Sequence, residues 1–152
     1  MRSIILAAAA LALTATAPFA QDDDVPAAVK ARQGQMQIQA HALGIVGGMA
    51  RGNAEYDAEM ATAAAQNLRA TSMLTLDLLW PEGTSNEEVS ESRALPAIWS
   101  DWEGFTAAWA AFDEATATLE AEAGNGAEAL TAAVGALGRT CGGCHDNYRQ
   151  TN

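Results

Sequence analysis

The stretch "AIWSDWEGFTAAWAAFDEATATLEAEA", Ala97 to Ala123, decides the class of fold. Within it Ile98, Trp102, Phe105, Trp109, Phe112, Thr116, Leu119 and Ala123 recur at alternating steps of four and three. That period belongs to an amphipathic helix packed against partners, because a half-buried strand alternates every second residue. Thr116 is the polar member, and a mid-helix threonine bonds back to a carbonyl of the preceding turn. Packing alone explains the aromatic residues of this stripe. Pro96 precedes the helix, and "GNG" at Gly124–Gly126 supplies a stop and a tight turn. Beyond the turn, Ala127, Leu130, Val134, Leu137, Cys141, Cys144 and Tyr148 step in the same way and predict a fourth helix.

Upstream, a first helix is expected from about Pro26 to Gly48, with Val29, Met36, Leu43 and Val46 on one face. A second is expected from near Asp57, carrying Met60, Ala64, Leu68, Thr71, Leu74 and Leu78 inward. It should stop before Pro81, since the residue ahead of a proline avoids helical geometry. Met49, Met60 and Met73 read as core filler. The polar segment Trp80–Pro96 is long for a bundle connection and is expected to cover something. With no strand alternation and no internal repeat, the chain reads as all-α, an antiparallel up-down-up-down four-helix bundle.

The first twenty residues differ from the rest. Met1 and Arg2 precede the apolar run "IILAAAALALTATA" and a small-residue end at Ala20, the layout of a secretory signal peptide. The run falls short of the ~18 apolar residues that favour spanning a membrane. Cleavage is expected after Ala20, with "ATA" at Ala15–Ala17 a competing site disfavoured by Pro18. The bundle then occupies 21–152, in the periplasm of a bacterium. Losing the positive charge of Arg2 takes the net charge from −11 to −12. So acidic a protein is repelled by nucleic acid and by anionic lipid, and neither is expected as a partner.

"TCGGCHDNYR", Thr140 to Arg149, holds both cysteines of the sequence and one of its two histidines. A disulfide between Cys141 and Cys144 would close a very short loop and strain a helix. A thioredoxin-type dithiol calls for a β-α-β setting, which is missing here. Zinc needs about four ligands, and His41 is the only further imidazole. Covalent haem c suits every residue. Thiols at i and i+3 share a helix face, with the separation of the two haem vinyl groups. His145, four residues after Cys141, projects toward that face, and Gly142 and Gly143 leave room for the macrocycle edge. Cys-x-x-Cys-His is the attachment signature of c-type haem, and attachment takes place outside the cytoplasm, as the leader requires.

A haem motif on the last helix of a four-helix bundle, continued as "CHDNYR", resembles the cytochrome c′ family. "KARQGQM" (Lys30 to Met36), "YD" at Tyr56 and Asp57, "LWPEGTS" from Leu79 and "ALPAIWSDWEGF" (Ala94 to Phe105) are similar to family segments as well. The resemblance implies that Cys141 and Cys144 form thioethers and that His145 is the proximal iron ligand. It implies that Arg149 stands near that histidine and disfavours its imidazolium, and that Arg32 stands near the haem propionates. The alternative for Arg32 is a solvated surface charge. Met36 takes the position over the distal face. An apolar non-ligand there leaves five-coordinate, high-spin iron open to NO or CO, yet methionine is also a competent haem ligand. Two readings follow: a gas-binding or electron-exchanging high-spin protein, or a six-coordinate electron carrier with Met36 and His145 as axial ligands. A haem-free zinc or dithiol protein is the reading from another class. No acid–base constellation suggests an enzyme. His41 reads as a surface or interface histidine. The family likeness also implies a homodimer through the first two helices, with Gly47, Gly48, Ala61 and Ala65 allowing close approach.

Overall fold

The computed structural model describes residues 25–151; the leader expected at 1–20 and its cleavage site lie outside them. The described chain forms six helices: α1 Ala27–Ala50, α2 Ala58–Ser72, α3 Leu76–Leu79, α4 Ala97–Ser100, α5 Trp102–Glu122 and α6 Ala127–Tyr148. The four long ones make the bundle. α1 packs on α2 and α6, and α5 packs on the same two, so each long helix touches both of its sequence or ring neighbours. The links α1–α2 and α5–α6 are short, and α2–α5 is the long one. Among the described residues the only bridge of strand type is an isolated antiparallel pair, Ala94 with Arg149.

The core follows the period-3.6 stripes. Leu68, Ile98, Phe105, Leu119, Leu130 and Leu137 are almost wholly removed from water, as are Val29 and Val46 of α1. Thr116 lies at the same depth and bonds back to the Asp113 carbonyl at 2.7 Å. The turn into α6 is made by Gly126 at φ 108°, a left-handed conformation that a side chain resists. Tyr56 braces this turn by donating to the Ala123 carbonyl and accepting from the Gly126 N–H, both at 3.0 Å.

The second helix ends earlier than its pattern suggests. Asp57 caps α2 as expected, accepting from the Met60 N–H. At the other end, Gln35 of α1 donates to the Thr71 carbonyl and Trp109 of α5 to the Ser72 carbonyl, both at 2.8 Å. These side chains take carbonyls that a continued helix would bond internally, and the chain breaks at Met73. After the break the helical phase is lost, so Leu74, Leu78 and Met73 point outward at 47%, 75% and 61% exposure. Met60, at 51%, is also outside the core. Of the methionines expected as filler, only Met49 packs against it.

The third helix is likewise divided. Asp101 breaks it, with one carboxylate oxygen accepting from the Gly104 N–H and the other from the Tyr148 hydroxyl at 2.8 Å. Aspartate competes with the helical backbone in this way. Of the small residues assigned to an intersubunit contact, Gly47, Ala61 and Ala65 are instead buried within the chain and Gly48 is half-buried; Ala61 and Ala65 lie on α2, which packs on α1, while a Cβ at Gly47 would meet only Arg51. Ile38 and Met60 are the exposed large apolar residues of those helices. His41 is exposed. No helix of the described residues is long and apolar enough to cross a membrane.

Candidate haem site

α6 presents Leu130, Leu137 and Tyr148 to the core, and Cys141 and Cys144 extend that stripe half-buried at its edge. Both thiols are free. Burial pushes the Cys141 thiol up, and it pushes Cys144 up too, where a neighbouring Cys141 thiolate would add to the shift and Arg149 opposes it. Reactive dithiols depend on the opposite, a depressed thiol pKa, so these are poor redox thiolates. His145 is half-buried. Burial chiefly, then Arg149 and Arg93, lower its proton affinity, against the pull of Asp146. A neutral imidazole is the form that binds a metal. Arg149 is exposed at the end of α6, its own N–H bonded to the His145 carbonyl at 3.2 Å.

Across from α6, Met36 is half-buried on α1 against the same cluster that both cysteines join. The structure thus brings Met36, Cys141 and Cys144 to one apolar body. Aromatic rings wall that body. Phe105 lies 5.0 Å from Trp80, 5.5 Å from Trp102 and 5.4 Å from Tyr148, the first and last edge-on.

Arg32, one turn before Met36, is 4% exposed, which overturns the solvated-charge alternative. It stacks 4.6 Å over Trp80 and donates to Thr84 and Ser92 in the long connection. Desolvation lowers its pKa, yet a guanidinium stays charged. Gly142 and Gly143 are exposed, and a Cβ at either would meet nothing within 4 Å, so the chain's own packing does not demand glycine there. Thr84 and Ser92 are buried partners of Arg32 that periodicity does not reveal; their one sequence trace is that they are small hydroxyl residues in an otherwise charged loop.

The donor set fits a covalently held haem. Two free thiols and a thioether sulfur pack against one apolar cluster, and His145, its proton affinity lowered by burial, follows Cys144 directly on α6. The Trp80 indole N–H, a buried donor with no protein partner beside a cation, suits an anionic substituent. Among the described residues no three His, Cys, Asp or Glu side chains gather as a metal site, so the zinc reading lacks its ligands.

Residues 27–149 match the family described as cytochrome C′. The chain belongs to the cytochrome c′ family. Cytochrome c′ of Cereibacter sphaeroides is 41% identical over 149 residues, covering 98% of both chains. Cytochrome c-554 of the same organism is 39% identical over 151 residues, covering 99% of each. Among solved structures, a cytochrome c′ from Rhodobacter spheriodes superposes with a TM-score of 0.80 at 41% identity, over 82% of this chain and 96% of that one. A nitric oxide complex of a variant cytochrome c prime from Alcaligenes xylosoxidans gives 0.71 at 34% identity, over 82% and 94%. The cofactor of this cytochrome c′ family member is covalent haem c, as its two cysteines on α6 allow.

Proposed function

We propose that the protein is an exported, periplasmic cytochrome c′ whose haem iron is five-coordinate, binds NO or CO, and exchanges electrons. Cys141 and Cys144 form the thioethers and His145 is the proximal ligand. The observation that carries this reading is the Cys-x-x-Cys-His run on α6, with Cys141, Cys144 and Met36 packed against the same cluster. When bound, the haem supplies diatomic-ligand binding and one-electron chemistry. The protein orients that group through α6, surrounds it with apolar and aromatic side chains, and holds the imidazole lone pair free. Arg149 works against imidazolium formation. The nitric oxide complex of the Alcaligenes relative supports gas binding here. Ile38 and Met60 are the apolar groups that pairing of two chains through α1 and α2 would bury.

A second reading rests on Met36 itself, because a half-buried thioether at this place is also a competent sixth ligand. Expression with haem-maturation machinery, intact mass and absorption spectra separate the possibilities. A haem-sized mass increase that survives denaturation and disappears in the Cys141→Ala/Cys144→Ala variant is expected, with a high-spin reduced spectrum. A sharp low-spin spectrum with a sulfur-ligand band in the oxidised state, lost in Met36→Ala, selects the six-coordinate carrier. No mass increase rejects both.

A further inference from the structure

The long connection between α3 and α4 ties together the two helices on either side of the candidate haem site. At its α1 end, all four terminal N–H hydrogens of Arg32 are engaged. Nη1 donates to the Leu79 carbonyl at 3.3 Å and Thr84 Oγ1 at 2.8 Å; Nη2 donates to the Thr84 carbonyl at 2.5 Å and Ser92 Oγ at 2.8 Å. Gln33 adds a bond to the Glu91 carbonyl at 2.8 Å. The loop is braced internally: Thr84 Oγ1 donates to the Pro81 carbonyl, Ser92 Oγ to the Thr84 carbonyl, and the Asn86 N–H to the Ala94 carbonyl. At its far end the Leu95 N–H donates to the Tyr148 carbonyl at 3.0 Å and the Gln150 N–H to the Arg93 carbonyl at 2.8 Å. A continuous hydrogen-bonded strap therefore runs from one turn before Met36 to three residues after His145.

We propose that Arg32 is a positioning residue which acts through Thr84 and Ser92. It fixes how α1, and with it Met36, stands against the face of α6 that carries Cys141, Cys144 and His145, and so tunes the access and coordination of the iron. The inference rests on the haem reading above. Arg32 is well suited to the task, since its planar fork reaches four acceptor atoms, one more than the three donors of an ammonium could serve. Its charge is buried, so removing a partner leaves an uncompensated group and the strap loosens.

The test compares the haem-loaded wild type with Arg32→Met, Arg32→Lys, Thr84→Val and Ser92→Ala. Carbon monoxide affinity of the reduced protein, its absorption spectrum and amide hydrogen exchange are measured on each. Thr84→Val and Ser92→Ala should shift CO affinity in the same direction as Arg32→Met, by about two- to thirtyfold. The Arg32→Met/Ser92→Ala double variant should shift it by less than the combined single changes. Lysine should fail to restore the wild-type value. Exchange at Leu95 and Gln150 should accelerate in Arg32→Met and Ser92→Ala, while amides at the α2–α5 contact keep their protection. If the loop variants retain wild-type CO affinity and spectrum while Arg32→Met does not, Arg32 acts on the cofactor directly and the proposal fails. It fails equally if Leu95 and Gln150 exchange at wild-type rates. The exchange arm reads the strap with or without haem, so a chain that takes up no haem overturns the haem reading and leaves this arm to decide the coupling.

Discussion

Replacing Phe105 with alanine should remove a large part of the protein's stability. The side chain is 1% exposed and its ring meets four others, those of Trp80, Trp102, Trp109 and Tyr148, at 5.0 to 6.4 Å. Truncating a core phenylalanine costs about 3–5 kcal/mol, from lost transfer energy and the cavity left behind. Aromatic pairs add about 0.5–1.5 kcal/mol each beyond area, though not additively. The ring neighbours come from α5, α6 and the α3–α4 connection, so no single element relaxes to fill the gap. A value near the top of the range, about 4–5 kcal/mol, follows. Total stabilities are only about 5–15 kcal/mol. With a urea slope of about 2 kcal/mol/M, the midpoint should fall by about 2 M at an unchanged slope. Leu78→Ser is the matched control. At 75% exposure it should stay within about 0.5 kcal/mol of wild type. The assay is urea unfolding followed by far-UV circular dichroism. A loss below about 1.5 kcal/mol for Phe105→Ala, or one no greater than Leu78→Ser, would show that the ring cluster is not the centre of the core.

Three further outcomes are expected. A Cβ at Gly104 would lie 2.6 Å from the Tyr148 hydroxyl and closer still to Asp101, so Gly104→Ala should destabilise by about 1–3 kcal/mol. Tyr148→Phe should recover part of that loss, and strictly additive effects in urea unfolding would contradict the crowding. The hydrogen bond to Asp101, then burial, raise the Tyr148 pKa above the ordinary value of 10.0. Its contribution to stability is therefore complete below that pH and is lost as pH climbs through the raised value; a difference ultraviolet titration against Tyr148→Phe should show late phenolate formation. Asp113 accepts from Ser72 at 2.7 Å and pairs with Arg69, while Thr116 and Ser72 lie 2.9 Å apart. Asp113→Ala should cost about 1–3 kcal/mol, mostly through partners left unsatisfied. Since a partly exposed ion pair contributes about 0–1 kcal/mol, the loss should largely survive high salt. A gap that closes in salt would assign the effect to the ion pair alone.

The stripes of α1, α5 and α6 were legible because helical phase is kept along an unbroken helix. Val46, Phe105, Leu119, Leu130 and Leu137 are buried where their spacing places them. Leu74 and Leu78 show the limit. Their phase is reset at Met73, and the cause sits on other helices, in Gln35 and Trp109. A sequence window around α2 contains neither. The Cys-x-x-Cys-His run is legible for the opposite reason, since its chemistry is local and needs few residues. Arg32 falls between the two. Its position can be matched to a family segment, but its burial depends on Thr84 and Ser92, 52 and 60 residues away. The small residues Ala61 and Ala65 were legible as contact points, though not as contacts within one chain.

The far anchorage of the α3–α4 connection is chiefly a matter of backbone. Leu95 and Gln150 bond through peptide groups, and peptide hydrogen bonds are blind to side-chain identity. The exposed positions Glu82, Glu87, Ser90 and Glu91 are thus free to drift in charge over generations while the attachment to the last helix holds. A lineage can repaint this end of the molecule with the fittings around its cofactor left intact. The same tolerance makes these four sites the natural place for an engineer to graft a tag or invert a surface charge.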